Sequence, residues 1–430
     1  MLAPVQAFIL ERLLFGGTGI QVGSSSSSSD NHDIPVAPTP SQQDEALVWA
    51  LTHIIQRTEA KTFRLVTGSS HDALYLHQAT KREEVAEFFT RHLPQLHGPL
   101  GVLTFVYSVL LSRGTDTIRS DMDDSTSYLV GAFGHSSQEL VNLLLCGRAV
   151  TNVFDGTKVL GDPNDPTAWR LKGIQQQNEV GFLTLLEALR YSTVGEFYKS
   201  PKFPIWVIGS SNHYTCMFSL DRRVGQLTSS QKKHRSARTA FESLDPENNG
   251  FIPITQLPAL MAQLDAAVLP PNTTMEDVKK RLDPDGLGLI LFERLITVLE
   301  QWEKLKALTQ AQAAIPQTPF SCQACTFNNV ATATSCEICG TPRPPPPPAA
   351  KASNQEEMEV QNFTLYHFNG IEISGKSYCE CHRVMVSVVE GGLPPQIQGD
   401  AISEGQGLKE ILLTRWPSSI IDIDGVAKIS

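Results

Sequence analysis

The segment Pro201-Lys-Phe-Pro-Ile-Trp-Val-Ile-Gly209, with Ser-Ser-Asn after it and then His213-Tyr-Thr-Cys-Met-Phe-Ser-Leu220, decides the fold of the domain around it. Its first part is a short apolar run rich in β-branched and aromatic residues, which predicts a buried strand. The Gly-Ser-Ser-Asn sequence is typical of a turn, and the second part alternates in polarity as a returning strand does. We therefore expect a hairpin with His213 at its mouth.

The composition is that of a globular protein with several domains. The chain has 430 residues, of which 41% are hydrophobic and 19% are charged, and its length predicts about two to four domains. A net charge of −10 disfavours nucleic acid and anionic membranes as partners. No window approaches the ~20 apolar residues that span a bilayer, and the N-terminus lacks the pattern of a signal peptide. We expect a cytoplasmic or nuclear protein without a membrane partner.

Helical periodicity dominates the first half of the chain and strand patterns the end. The predicted helices are 2–15, 44–57, 81–92, 99–112, 137–146 and 181–191, and the predicted late strands are 359–369 and 377–390. Helix 99–112 is apolar all round, which predicts a position in the core. The run of serines and prolines over 23–43 predicts a loop, and a last short strand or helix is expected near Trp416.

Four of the eight cysteines form the pattern Cys322-x2-Cys325-x10-Cys336-x2-Cys339. Zinc binds four thiolates tetrahedrally, and each Cys-x-x-Cys turn can supply two of them. The alternative is a chance cluster of free thiols. A segment this short has no core without metal, so we expect one structural zinc ion whose binding also drives folding. The other four cysteines are scattered, which favours a reducing compartment.

The residues around these cysteines resemble the NZF class (RanBP-type) of zinc ribbons. Phe320 precedes the first cysteine, where that class usually has Trp, and Thr326-Phe327 follows the second. The resemblance implies that Thr326, Phe327 and Ile338 bind ubiquitin. A related subset of these ribbons binds single-stranded RNA instead, but the Thr-Phe pair and the acidic chain favour ubiquitin.

Two segments have the beginnings of calcium-binding loops, between predicted helices over 228–308. The candidate calcium ligands are Asp245, Glu247 and Asn249 in the first loop and Asp283 and Asp285 in the second. At position 12, where calcium needs a bidentate Glu, the loops have Gln256 and Arg294. We therefore expect a degenerate EF-hand pair that folds without calcium.

Longer segments resemble the MINDY deubiquitinase family, in its branch with an EF-hand-like insert. They are 134–156, 181–190, 200–213 and 244–253, within a similarity over roughly 1–20, 44–308 and 360–420. The resemblance implies a papain-like cysteine protease that cleaves ubiquitin chains of the proteasome-targeting linkage, with His213 as the general base. From the residues alone, His213 is better explained as an ordinary surface histidine, and only the resemblance favours a general base.

The resemblance places the family's nucleophile in a Gly-Pro-Cys turn just before Met1, ahead of helix 2–15. There a helix dipole lowers the thiol pKa, and a histidine accepts its proton. We therefore expect this sequence to be truncated at its N-terminus and to be inactive as printed. The alternative is a ubiquitin-binding adaptor without catalysis.

The remaining cysteines are weaker candidates for chemistry. Cys146 lies in an apolar helix and is expected in the core, and Cys216 lies on the strand after His213, the wrong element for a nucleophile. Cys379 and Cys381 beside His382 could suggest a metal site, but a strand pair without two further ligands is better explained without one. The basic run 232–235 could be a nuclear signal or the solvated start of a helix.

The predicted fold is α+β: a papain-like catalytic domain with a helical EF-hand-like insert and a small zinc ribbon. The predicted segments are 1–225 (catalytic domain, main part), 226–308 (EF-hand pair), 316–345 (zinc finger), 346–358 (proline-rich linker) and 359–430 (strands that complete the catalytic domain). The expected partners are ubiquitin and polyubiquitin, and two weak sites on one chain would gain by effective concentration.

Overall fold

The computed structural model divides the chain into two compact units, Met1–Leu227 with Val360–Ser430 and Thr228–Glu359. The residues that it describes are 3–16, 38–70, 72–131, 134–161, 165, 167–210, 213–226, 229–245, 249–264, 269, 273–313, 320–330, 333, 335–342, 362–372, 379–388, 404–416 and 419–423.

Helices and strands alternate without a repeating order. The helices are α1 (Ala3–Phe15), α2 (Pro40–Arg57), α3 (Arg82–Arg91), α4 (Leu93–Leu96), α5 (Gly101–Arg113), α6 (Thr115–Asp121), α7 (Gln138–Cys146), α8 (Leu185–Ala188), α9 (Glu196–Lys199), α10 (Ser229–Glu242), α11 (Leu257–Gln263), α12 (Met275–Leu282), α13 (Phe292–Ala313) and α14 (Glu404–Arg415). The strands are β1 (Phe63–Ser70), β2 (Ala73–Ala79), β3 (Thr157–Leu160), β4 (Trp169–Lys172), β5 (Gly181–Thr184), β6 (Ile205–Gly209), β7 (Tyr214–Phe218), β8 (Phe251–Pro253), β9 (Leu289–Leu291), β10 (Phe320–Ser321), β11 (Asn328–Asn329), β12 (Asn362–Glu372), β13 (Cys379–Val388) and β14 (Ser419–Ile423).

A six-stranded sheet organises the first unit, in the order β14-β13-β12-β7-β6-β5. The β5–β6 pair is parallel and the other neighbours are antiparallel. The predicted hairpin forms its centre as β6 and β7, with Gly209 opposite Tyr214. All five residues of β6 are buried, because both faces of the sheet are covered.

The two faces of the sheet belong to different hydrophobic clusters. Ile205, Val207 and Cys216 pack in the larger cluster with Phe8 of α1. The alternate residues of the same strands pack in a second cluster with α14, where the Trp206 and Trp416 rings meet edge to face at 5.5 Å. The late strands and α14 are therefore part of this unit's core.

Helix α5 supports the β1–β2 hairpin through hydroxyl groups. The backbone N–H of Val66 donates to Ser108 Oγ (2.8 Å), and that of Arg64 donates to Ser112 Oγ (2.9 Å). Helix α5 has the expected place beside the core, but Tyr107 on its other side is 38% exposed. The predicted core helix is therefore buried on one side, and its buried serines contact a hairpin that the sequence patterns did not reveal.

The predicted helix over 181–191 is wrong at its start. Gly181–Thr184 is a buried strand, and only the short α8 follows it. A Cβ at Gly181 would lie 2.3 Å from the carbonyl oxygen of Tyr198, so this backbone approaches its neighbour as closely as only glycine permits. Helix α2 also begins earlier than expected, at Pro40, where Thr39 and Gln42 form a capping box.

The described residues of the second unit form four α-helices, α10 to α13, around their own core. Its two loops meet through the short β8–β9 pair, where Ile252 lies opposite Ile290 and both are fully buried. Gly250 and Gly288 hold equivalent positive φ angles of 79° and 75°. In the described part of the chain, no helix is both long and apolar enough to cross a membrane.

Candidate functional site

His213 is held at the mouth of the β6–β7 hairpin by the hydroxyl of Ser210. The Ser210 Oγ–H donates to the carbonyl of His213 (2.9 Å), and Oγ accepts from the His213 N–H (3.1 Å). The Ser210 N–H also donates to the same carbonyl (2.9 Å). These bonds fix the backbone of the predicted general base, whose side chain is half-buried.

The first turn of α1 lies against the strand that begins after His213. The thiol of Cys216 donates to the carbonyl of Ala3 (3.1 Å), and α1 packs on both β6 and β7. Three residues of strand, about 10 Å, separate Cys216 from His213. The fold therefore brings the N-terminal end of a helix and the predicted general base to the same strand.

A buried histidine that the sequence patterns did not identify lies beside this hairpin. His367 on β12 is fully buried, and its Nε2 lies 2.9 Å from the Thr215 hydroxyl. On the neighbouring strand His382 lies directly opposite. Desolvation lowers the pKa of His367 to about 4, and the charges of His382 and His213 act in the same direction. The signal in the sequence was a lone histidine in an apolar strand, which could not reveal that β12 pairs with β7.

The other described cysteines lack the surroundings of a nucleophile. Cys146 is the last residue of α7, where a helix dipole disfavours a thiolate, and burial raises its pKa. Burial also raises the pKa of Cys216. Cys381 is exposed on β13, and the side chain of Cys379 lies outside the described residues. None of the described cysteines combines a helix N-terminus with a neighbouring base.

Glu179 and Glu11 of α1 are neighbouring carboxyl groups whose pKa values are shifted in opposite directions. Glu179 accepts from Arg57 (2.8 Å) and lies 2.6 Å from His53 Nε2, and these partners lower its pKa to about 2 although burial opposes them. Glu11 on α1 is 6% exposed, and its Oε2 has no hydrogen-bond partner among the described residues. Burial and the charge of Glu179 raise the pKa of Glu11 to about 8.

The four predicted zinc ligands come together as one cluster. The ligand atoms of Cys322, Cys325, Cys336 and Cys339 lie within 4.8 Å of one another. The Sγ–Sγ distances are 3.5 Å for Cys322–Cys339 and 3.4 Å for Cys325–Cys336. Tetrahedral bonds of ~2.3 Å would place the sulfurs about 3.8 Å apart. The cluster can hold a metal ion, and its geometry is consistent with structural zinc.

The two cysteine turns have the same backbone hydrogen bonds. The Cys322 carbonyl accepts from Thr326 N–H (2.8 Å), and the Cys336 carbonyl accepts from Gly340 N–H (2.9 Å). Thr326 and Gly340 also share a left-handed conformation, with φ of 59° and 73°. Such a conformation is ordinary for glycine and uncommon for a β-branched residue.

Apolar side chains lie exposed on this small module. Phe327 is 39% exposed, Val330 55% and Ile338 67%. All three predicted ubiquitin-binding residues, Thr326, Phe327 and Ile338, are therefore exposed.

The predicted calcium loops use their first aspartates for backbone contacts. Asp245 accepts from the N–H groups of Asn249 (2.9 Å) and Gly250 (2.8 Å). Asp283 makes the matching pair of bonds in the second loop, with Leu287 and Gly288 at 2.8 Å each. Glu247 lies outside the described residues, and Asp285 is exposed.

At position 12 of the second loop, Arg294 makes a hydrogen bond to the backbone of α12. Arg294 Nε donates to the carbonyl of Arg281 (2.9 Å) in the last turn of α12. In the first loop, Gln256 Oε1 is buried without a hydrogen-bond partner among the described residues. Neither residue supplies the bidentate carboxylate that calcium needs.

Comparison with known proteins places the first unit in a family. Residues 1–237 match the model described as "Deubiquitinating enzyme MINDY-3/4, conserved domain". The chain belongs to the MINDY-3/4 family. The family resemblance of the hairpin and helix segments is thus confirmed, within a mixed α+β domain.

Several MINDY-3/4 relatives align with most of the chain. Ubiquitin carboxyl-terminal hydrolase MINDY-3 of Xenopus tropicalis is 43% identical over 323 residues, which cover 74% of this chain and 57% of the relative. The Homo sapiens protein of the same name is 34% identical over 318 residues, 74% of this chain and 56% of its own. The Danio rerio protein is 32% identical, with 69% and 70% covered. No solved structure shows significant similarity to the chain.

The chain spans little more than half the length of most of these relatives. It covers 56% of both the Homo sapiens protein and the MINDY-3 protein of Bos taurus, which is also similar to it.

Proposed function

We propose that the first unit is the catalytic domain of a thiol-dependent isopeptidase that removes ubiquitin from chains of the proteasome-targeting linkage. His213 serves as the general base in this proposal. The observation that carries it is the fixed position of His213 at the end of β7, the strand on which the first turn of α1 packs. Membership of a deubiquitinating family supplies the reaction class.

The nucleophile in this proposal is a cysteine thiolate at the N-terminal end of α1. A helix N-terminus stabilises a thiolate, and a nearby histidine can accept the thiol proton. The attacking sulfur then forms a thioester with the ubiquitin carboxyl group, and the lysine amine leaves with that proton. Since no described cysteine lies at this end of α1, the segment ahead of the helix is the place for the Gly-Pro-Cys turn that the resemblance implies.

The zinc module is proposed to hold one structural zinc ion and to bind ubiquitin. Support comes from the exposed pair Phe327 and Ile338 and from the strained Thr326 beside them. Backbone strain persists at functional sites when the surrounding structure enforces it. A second weak contact on the same chain raises the apparent affinity for polyubiquitin.

The α10–α13 unit is proposed to be an EF-hand-like pair without calcium. The paired Ile252 and Ile290 stand at position 8 of their loops, where EF-hands join. The loss of a carboxylate at Gln256 and Arg294 supports a structural role.

The catalytic proposal is tested with two polypeptides, residues 1–430 alone and the same chain preceded by a Gly-Pro-Cys turn. Residues 1–430 alone should cleave ubiquitin chains at background, and the extended chain should cleave them. In the extended chain, His213→Ala should lower kcat/KM by about 10² to 10⁴. His97→Ala is the matched control, since His97 is an exposed histidine that directly follows α4. Equal activity of the two histidine variants would refute the role of His213.

A second candidate is an adaptor that binds ubiquitin without cleaving it. The absence of a cysteine beside His213 among the described residues favours it. An extended chain that binds ubiquitin, retains its zinc and still fails to cleave would favour the adaptor over the enzyme.

A further inference from the structure

A cavity of about 480 Å³ opens between α12 and α13 in the second unit. Lys280 and Arg281 of α12 and Arg294 of α13 line it, with Asp277 as an acidic neighbour. Its apolar part is formed by Trp302 and Leu305 of α13. Cavities of this size accommodate small ligands or a few side chains of a peptide.

Three cations and one carboxylate, Asp277, line this cavity, and although the charges of Arg281 and Lys280 act on Asp277, positive charge is in excess. Within the described part of the chain, no carboxylate lies within ion-pair distance of Lys280, Arg281 or Arg294. Asp277 accepts hydrogen bonds from the N–H and hydroxyl of Thr274, which caps α12, and these bonds lower its pKa. The C-terminal dipole of α12 offsets about half a charge. The cavity therefore stays positive in a chain whose net charge is −10.

One of the three cations is fixed in place. Arg294 Nε donates to the carbonyl of Arg281, one of the last carbonyls of α12 that lack a partner within the helix. This bond restrains the guanidinium before any ligand arrives, so less side-chain entropy is lost on binding.

The apolar part of the cavity offers a second kind of contact. Trp302 is 1% exposed, and Leu305 is 44% exposed. An inorganic anion would leave Leu305 in water, whereas a side chain next to a carboxylate would cover it.

We propose that this cavity binds an acidic peptide segment of a partner protein, in which carboxylates flank one large apolar side chain. The carboxylates pair with Lys280, Arg281 and Arg294, and the apolar side chain packs on the exposed Leu305.

The test measures binding of a fluorescent peptide with leucine flanked by glutamates to the full chain, by anisotropy at two salt concentrations. Lys280→Glu combined with Arg281→Glu should weaken binding by about tenfold or more, which corresponds to about 1.4 kcal/mol. Lys279→Glu, one residue away on the same helix and outside the cavity, should leave the affinity nearly unchanged. Leu305→Ser should weaken binding without changing its salt dependence.

The proposal is overturned if the peptide does not bind, or if the Lys280→Glu, Arg281→Glu chain binds as well as Lys279→Glu. It is also overturned if a peptide with glutamine in place of every glutamate binds equally well. Competition by inorganic phosphate at the peptide's own concentration would show a simple anion site and would overturn it too. Melting temperature and zinc content, measured for every variant, confirm that each one is folded.

Discussion

The zinc module and the site around His213 are assembled over very different lengths of chain. All four thiols of the cluster lie within residues 322–339. By contrast, Cys216 meets Ala3 across 213 residues, and His367 meets Thr215 across 152 residues. The first site needs only two tight turns and a metal ion, whereas the second exists only when the whole sheet has formed.

This difference also separates the sources of stability. The cluster lies in a segment with little apolar core, so metal binding supplies its folding free energy. The His213 site is held by two hydrophobic clusters on the faces of the sheet. A change that destroys one site should therefore leave the other intact.

The largest expected effect is the loss of zinc. Chelation, or Cys322→Ser, should unfold residues 320–342 alone, because structural zinc contributes about 10–16 kcal/mol of binding free energy in peptides of this kind. NMR spectra should lose the module's dispersed signals, and metal analysis should fall from one zinc per chain to none. Cys381→Ser, which replaces an exposed cysteine outside the cluster, should retain the metal. If chelation also unfolded the six-stranded sheet of the first unit, the two sites would not be independent.

A smaller effect is expected from the ionisation of Glu11 on α1, which should make the stability of the fold depend on pH. Its pKa is raised to about 8, so the folded state holds a proton that the unfolded state releases above about pH 4.5. Stability should therefore fall as the pH rises from about 4.5 to 8, by at most about 1.4 kcal/mol per unit. Glu11→Gln should remove this slope in urea titrations at several pH values.

Glu83→Gln, an exposed change on α3, is the control for the pH experiment and should retain the slope of the parent chain. His367, whose lowered pKa makes stability rise with pH below about 6.5, contributes equally to both chains, so the comparison is between variant and parent. A Glu11→Gln chain with the same pH dependence as the parent would show that Glu11 is ionised in the fold.

The cysteines outside the zinc cluster should differ in reactivity. Desolvation raises the pKa of both thiols, that of Cys381 to about 11, but Cys381 is exposed whereas Cys216 is fully buried. Alkylation of the native, zinc-bound protein should modify Cys381 at least about 100-fold faster than Cys216, because the reagent must reach the sulfur and α1 covers Cys216. Mass spectrometry of peptides from timed samples measures both rates. Rapid labelling of Cys216 would mean that α1 leaves β7 often.

The sequence predicted the local parts of this molecule better than the long-range ones. The cysteine spacing indicated the zinc cluster because both turns obey the same short-range geometry. The β6–β7 hairpin followed from its apolar run and turn residues. The apolar pattern predicts a helix over the strand Gly181–Thr184 because so short an apolar segment fits either period.

The parts that could not be predicted depend on pairing between distant segments. The partnership of β12 with β7 brings His367 beside Thr215, and no local pattern encodes it. The β1–β2 hairpin was missed because Leu74, Tyr75 and Leu76 are all exposed and give no alternating pattern. The hairpin is stabilised by packing of β1 against α5, and this contact between distant segments cannot be recognised from the hairpin's own sequence.

The smallest expected effect concerns calcium. Each loop of the second unit, like each cysteine turn, is formed by residues close together in the sequence, so the loops test whether a local motif is sufficient to bind a metal ion. Their backbone is already formed by the contacts of Asp245 and Asp283 and by the Ile252–Ile290 pair. What they lack is a carboxylate at position 12.

Micromolar calcium should therefore leave the melting temperature of the full chain unchanged. Gln256→Glu should create a saturable rise, since a ligand at about 100 times its Kd adds about 2.7 kcal/mol to the native state. Gln256→Ala is the matched control and should stay insensitive. A rise in the parent chain would mean that the buried Gln256 Oε1 is itself a calcium ligand, and that a spacing motif can hold metal without its last carboxylate.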